Sequence, residues 1–193
     1  KVTLADDFNA TVLNFQAATG SSDTATVVLD NETASTDTDV ASLDIQNVES
    51  VTITSSGFAG TSLATAANVN LIDDFTGDAT TITVNGDSPL NLDLNIDSAA
   101  SGAAGSRAVT VDASSGTGVY DIATAASTGS GSVAYTITGN DSNNTLNATN
   151  ASNATVITGG AGNDTITGGT GNDTVATGAG VNTYNMSAGT DTV

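Results

Sequence analysis

Two consecutive phrases, Gly159-Gly160-Ala161-Gly162-Asn163-Asp164-Thr165-Ile166-Thr167 and Gly168-Gly169-Thr170-Gly171-Asn172-Asp173-Thr174-Val175-Ala176, set an aspartate behind a glycine-rich loop at a strict period of nine. Those residue types suit one kind of chemistry, the binding of a hard cation. Glycine lets the backbone take positive φ and turn its carbonyl oxygens toward a common point. The aspartate adds a charged oxygen, and calcium takes carboxylate and carbonyl oxygens together. The candidate ligands are therefore Asp164 and Asp173 with the backbone of Gly160, Gly162, Gly169 and Gly171.

Weaker copies flank this pair. Thr177–Asn185 carries Gly180, puts Asn182 at the aspartate place and puts Tyr184 at the aliphatic place. Met186–Val193 restores Asp191 and Val193, and upstream Gly139–Asn147 offers Asn144. An amide in these places supplies oxygen without charge. Between them Ala148–Thr158 is eleven residues long, so one half-turn is irregular there.

The period dictates the elements that hold these loops. Each unit is a tight loop followed by a very short strand, and the aliphatic residue two places after the aspartate points inward. Two units close one coil of eighteen residues, so loops on one side recur at i+18. That pairs Asp164 with Asn182 and Asp173 with Asp191. Allowing for the two extra residues, Asn144 falls beneath Asp164 and Asn153 beneath Asp173. Parallel strands stack about 4.8 Å apart and calcium–oxygen distances are about 2.3–2.6 Å, so an ion can reach two successive loops. Asp164 and Asp173 lie on opposite sides of the coil and do not share an ion.

The pattern Gly-Gly-x-Gly-x-Asp-x-aliphatic-x resembles the calcium-binding repeat of RTX proteins, and it runs from about Gly139 to Val193. The resemblance implies bound calcium, a parallel β-roll, and export by type I secretion to fold outside the cell. A second stretch, Leu43-Asp44-Ile45-Gln46-Asn47-Val48-Glu49-Ser50-Val51-Thr52-Ile53, is similar to a phrase of RTX-type surface-layer proteins. This implies a structural protein of a Gram-negative cell surface, assembling with its own copies into a two-dimensional lattice or a filament. Any polysaccharide anchor would lie in regions outside this sequence. Glu49 reads equally well as an exposed strand-edge acid or as a residue with a special role.

Composition agrees. Twenty-one acidic residues face two basic ones, for a formal charge of −19, and all but two of the acids are aspartate. Aspartate favours turns and cation ligation, whereas glutamate favours helices. Nucleic acid, which needs lysine and arginine against its phosphates, is excluded as a partner. An anionic bilayer is excluded on the same ground, and no apolar run is long enough to span a membrane. Without cysteine there is neither a disulfide framework nor a thiolate metal site. The start at Lys1 and the stop in mid-pattern read as a fragment or mature piece of a longer protein.

Elsewhere short β-type runs dominate: Thr11–Phe15, Thr24–Leu29, Ser50–Thr54, Thr80–Val84, Leu90–Asp97, Ala108–Asp112, Gly118–Ile122 and Val133–Thr138. Leu90–Asp97 alternates without error. Ser62–Val69 and Ala99–Ala104 contain alanine but no capped apolar stripe, and read as loops or single turns. The expected fold is all-β, a parallel β-solenoid. An irregular β-helix or β-rich domain would span 1–138, with a β-sandwich as the other possibility there, and a calcium β-roll would span 139–193.

Catalysis is not expected. No histidine is present, which removes zinc-protease helices and Ser-His-Asp triads, and no nucleophile elbow or P-loop occurs. A calcium-assisted polysaccharide lyase could use only Arg107 as its base, and Arg107 reads better as a charge paired with an aspartate. The pairs Asp6-Asp7 and Asp73-Asp74 read as loops or extra cation sites, because neighbours on a strand face opposite ways. Two further readings remain beside the surface layer: a calcium-folded module of an adhesin or filament, and the repeat tail of a secreted enzyme.

Overall fold

The structure is a computed structural model that describes residues 2–5, 9–10, 13–16, 20, 22–30, 38–57, 69–96, 106–125 and 132–193. Among the described residues eighteen strands follow in chain order. They are β1 (Val2–Ala5), β2 (Asn9–Ala10), β3 (Leu13–Gln16), β4 (Thr24–Asp30), β5 (Asp39–Val40) and β6 (Leu43–Gln46). Next come β7 (Ser50–Ser56), β8 (Asn70–Gly77), β9 (Thr81–Gly86), β10 (Leu90–Ile96), β11 (Ser106–Asp112) and β12 (Tyr120–Thr124). The last are β13 (Ser132–Thr138), β14 (Thr145–Asn147), β15 (Val156–Thr158), β16 (Thr165–Thr167), β17 (Thr174–Ala176) and β18 (Thr183–Asn185).

One sheet runs β1-β4-β7-β9-β11-β13-β15-β17, and the other runs from β18 through β16, β14, β12, β10 and β8 to β5 and β2, with β3 and β6 alongside. Every ladder is parallel, for instance β7 with β9, β10 with β12 and β15 with β17. The chain thus alternates between two faces and climbs one strand per face per coil, except that β2 with β3 and β5 with β6 each share one coil on the second face. This is a parallel β-solenoid, and the antiparallel sandwich is ruled out for the described residues. The ladders cross from β13 to β15 and from β12 to β14 without interruption.

Alternation builds the core. The pattern of β10 buries Leu90, Leu92, Leu94 and Ile96 completely and leaves the polar residues between them outside. Across coils the inward residues stack into columns. Val51, Ile82, Val111, Ile137, Ile157 and Val175 follow one another on one sheet. Ile72, Leu92, Ile122, Leu146, Ile166 and Tyr184 face them on the other. Each fully buried aliphatic contributes about 1.5–3 kcal/mol of transfer free energy.

The coils shrink along the chain. Ser50 pairs with Thr81, 31 residues on, whereas Val156 pairs with Thr174, 18 residues on. Strands shorten with them, from seven residues in β7 to three in β15–β18. A seven-residue strand points three side chains inward, as in β7, or four, as in β10, and a three-residue strand points one. The C-terminal coils therefore bury far less apolar surface per turn.

One sequence expectation needs correction, and one open reading is decided. Asp73 and Asp74 lie inside β8, not in a loop, and both face outward. The register with β10 shifts between Leu92 and Leu94, so a β-bulge defeats strict alternation at this point. Glu49 is not a free edge acid: its side chain accepts the backbone N–H of Asp23 at 2.8 Å, one coil earlier. The pair Asp6-Asp7, the bulk of Ser62–Val69, and Ala99–Ala104 lie outside the described residues.

Arg107 is tied down by Asp78, with Nη1 3.6 Å from Oδ1. The other carboxylate oxygen of Asp78 accepts the N–H of Asn47 at 2.9 Å. One aspartate thus links the coil below it and the coil above.

The bulge concentrates acid on the outer face of the β8–β10–β12 sheet. Burial, then the Asp73 and Asp74 charges, raise the pKa of Asp93, and burial, then Asp93, raise that of Asp121. As pH climbs through the aspartate range the unfolded chain ionises first, so stability falls across that window and stays lower above it. Asp93→Asn should raise stability at neutral pH by up to about 1 kcal/mol, the scale of a cross-strand like-charge pair. Urea unfolding of both proteins at fixed calcium checks this, and the gain should vanish at a pH where all aspartates are protonated.

Candidate metal site

The repeat loops sit at the two edges of the solenoid where the chain passes from one sheet to the other. Residues 159–164 join β15 to β16 and residues 168–173 join β16 to β17, so Asp164 and Asp173 occupy opposite edges. Both carboxylates are buried, at 1% exposure each. An isolated carboxylate is not found in such a place without compensation.

Half of that compensation is visible. Oδ1 of Asp164 accepts the backbone N–H of Asn144 at 2.8 Å. Oδ1 of Asp173 accepts both the N–H and the hydroxyl of Thr155, at 2.8 and 2.7 Å. The next coil repeats the device: the N–H of Asp164 donates to Asn182 Oδ1 at 2.8 Å, and that of Asp173 to Asp191 Oδ1 at 2.9 Å. A side chain at the aspartate place thus caps the equivalent backbone donor one coil earlier. Thr38 to Asn70, Asn47 to Asp78 and Asp23 to Glu49 follow the same rule outside the repeats.

The other half is missing. Asp164 Oδ2 and Asp173 Oδ2 are buried and have no hydrogen-bond partner. Burial raises the Asp164 pKa, against the opposing effect of the Asn144 hydrogen bonds. Each Oδ2 points at its own glycine-rich loop, close to Gly159 and Gly168 respectively.

The asparagine loops show what is absent. Asn144 Nδ2 donates to the carbonyls of Asn140 and Ser142, at 3.1 and 2.8 Å, within its own loop. Asn182 Nδ2 donates likewise to Thr177 and Ala179, at 2.8 and 3.3 Å. In these loops an amide N–H₂ gathers the carbonyl oxygens. An ionised carboxylate offers them only another oxygen, so with Asp164 and Asp173 charged these loops call for a cation between Oδ2 and the carbonyls. A calcium ion fits that donor set, and these two aspartates with their loop carbonyls are the residues that could hold it. Among the described residues no three acidic side chains converge on one point, so backbone oxygens would supply much of any coordination shell.

The structure brings most of the expected pairs together and moves one. Asp164 meets Asn182 and Asn144, and Asp173 meets Asp191. Thr155, not Asn153, lies beneath Asp173. Asn153 instead sits under Gly171 and takes the place of the third loop glycine. The two extra residues fall in the turn between β14 and β15, before Thr155, so the later half-coil returns to an offset of 18.

The glycines have a second reason beyond backbone conformation. Gly160, at φ 115°, and Gly180, at φ 97°, do occupy the left-handed side. Gly162, Gly169 and Gly171 do not, yet a Cβ at each would strike the backbone of the coil below, at Ser142, Ala151 and Asn153. A second ladder escaped the sequence reading. Asn143 Oδ1 accepts the N–H of Asn163, Asn163 Oδ1 that of Val181, and Asn172 Oδ1 that of Thr190, each at 2.7–2.8 Å. Its signal was the asparagine that precedes the aspartate in both perfect repeats.

Stacked glycine loops with half-satisfied buried carboxylates define a calcium-binding β-solenoid. The family described as RTX calcium-binding nonapeptide repeat (4 copies) matches residues 151–184 and 158–193, so this C-terminal part carries RTX-type repeats and binds calcium. RTX repeats are typical of secreted, extracellular proteins. No curated protein and no solved structure matches the chain. Among the described residues no helix is long and apolar enough to cross a membrane.

Asp173→Ala removes the charge and the one oxygen, Oδ1, that accepts both Thr155 donors. It should cost about 1–3 kcal/mol of stability, the penalty for stranding buried donors, and abolish one calcium site. Asp173→Asn should lose that site yet fold more readily without calcium, because its amide can gather the loop carbonyls as Asn144 does. Calorimetric calcium titration with thermal unfolding in chelator checks both; an unchanged number of bound ions in either variant contradicts the assignment.

Proposed function

We propose that this chain is a calcium-folded structural segment of a bacterial surface-layer protein, exported by a type I route, and that it has no enzymatic activity. The observation that carries the calcium part is the pair of buried, half-satisfied carboxylates of Asp164 and Asp173 in coils whose core is one aliphatic thick. Where calcium is scarce, as in a cytoplasm, those charges oppose folding of the repeat coils, and the chain stays extended for export. Where calcium is plentiful, ion binding supplies folding free energy, since the unfolded chain lacks the assembled loops.

The surface-layer part is supported by the continuity of the solenoid, by the threonine-rich outer face of its β7–β9–β11–β13 sheet, and by the similarity of Leu43–Ile53 to surface-layer sequences. The lack of histidine and cysteine, and the engagement of Arg107 by Asp78, support the non-catalytic reading. Purified protein should show a β-type circular dichroism signal in residues 139–193 that calcium restores after chelation. Electron microscopy with calcium should show sheets. A spectrum indifferent to calcium contradicts the folding mechanism, and particles that stay monomeric at every concentration contradict the lattice.

A further inference from the structure

The two outer faces of the solenoid differ in charge. On the β8–β10–β12 side Asp44, Asp73, Asp74, Asp93 and Asp121 all point outward. On the other side, Thr81, Thr110, Thr136, Val156 and Thr174 follow one another in strict register, and all are exposed. A parallel column beside them holds Thr52, Thr83, Thr138 and Thr158, and Asp112 is its one acid. Val156 is 45% exposed, one of three exposed valines with Val181 and Val193, and the one that lies within this column.

We infer that this threonine face is where a second copy of the chain packs, face to face; the inference rests on the self-assembling reading above and names its contact. Two molecules of charge −19 repel, so copies approach closely where charge is sparse, and this is the longer of two such surfaces, the other being the short β14, β16 and β18 strands of the opposite sheet. Each threonine offers a hydroxyl that both donates and accepts, beside a methyl group, so the face is complementary to itself. Eight strands about 4.8 Å apart, from seven residues long down to three, give a face on the order of 600 Å², close to the roughly 800 Å² per partner of a standard interface. Val156 would then be covered.

The chain has no cysteine, so single-cysteine variants report contacts cleanly. With calcium, Thr110→Cys and Thr136→Cys should each give cross-linked dimer with a short bismaleimide, and Asn91→Cys on the acidic face should not. Thr110→Asp/Thr136→Asp should sediment as monomer while keeping its calcium-dependent β spectrum. Ser114→Asp/Ser115→Asp, which adds the same charge at a turn, should assemble like the wild type. If the wild type assembles and the Thr110→Asp/Thr136→Asp variant assembles equally, this face is overturned and self-assembly stands. A wild type that stays monomeric in calcium overturns the self-assembly reading and the face with it. Monomers that instead adhere through this face to an ordered polysaccharide or to ice also overturn it.

Discussion

In a parallel solenoid every residue lies one strand spacing, about 4.8 Å, from its equivalent in the next coil. Whatever a position holds is therefore repeated against itself. For aliphatic residues this is favourable, and the columns from Val51 to Val175 and from Ile72 to Tyr184 form the core. For backbone groups at the edges it is demanding, because strands end and ladder donors lose their partners. The protein's answer is a side-chain oxygen from the next coil. Asn70, Asp78, Glu49, Asp164, Asp173, Asn182 and Asp191 all serve in this way.

The same constraint explains why the C-terminal coils differ from the rest. In the long coils two to four inward residues per strand supply enough burial to hold the stack, and the caps are the neutral Asn70, the half-buried Glu49, and Asp78, which pairs with Arg107. As strands shorten to three residues, apolar burial falls and the turns come to dominate. There the cap is a buried carboxylate with one oxygen engaged and one free. Such a group is unfavourable without a counter-charge, and with one it joins loop carbonyls and adjacent coils into a single unit. Asn144 and Asn182 mark where the chain uses a neutral latch instead.

Much of this was legible in the sequence. The nine-residue period gave the coil length, the opposite placement of Asp164 and Asp173, and the i+18 partners. The alternation of Leu90–Ile96 gave a strand with one buried face. What escaped was local. The bulge that turns both Asp73 and Asp74 outward depends on pairing with β10, which no pattern within β8 discloses. The place of Asn153 depended on which half-coil absorbs two extra residues, and only stacking decides that. The steric need for Gly162, Gly169 and Gly171 arises from the coil below, so the sequence records the glycine without its cause.

The central claim is that calcium holds the short coils and the aliphatic columns hold the long ones. Hydrogen exchange resolved by segment, with calcium and with chelator, tests it most directly. Amides of β14–β18 should be protected only with calcium, and those of β7–β12 should stay protected in both conditions. Protection of β14–β18 that survives chelation would contradict the account.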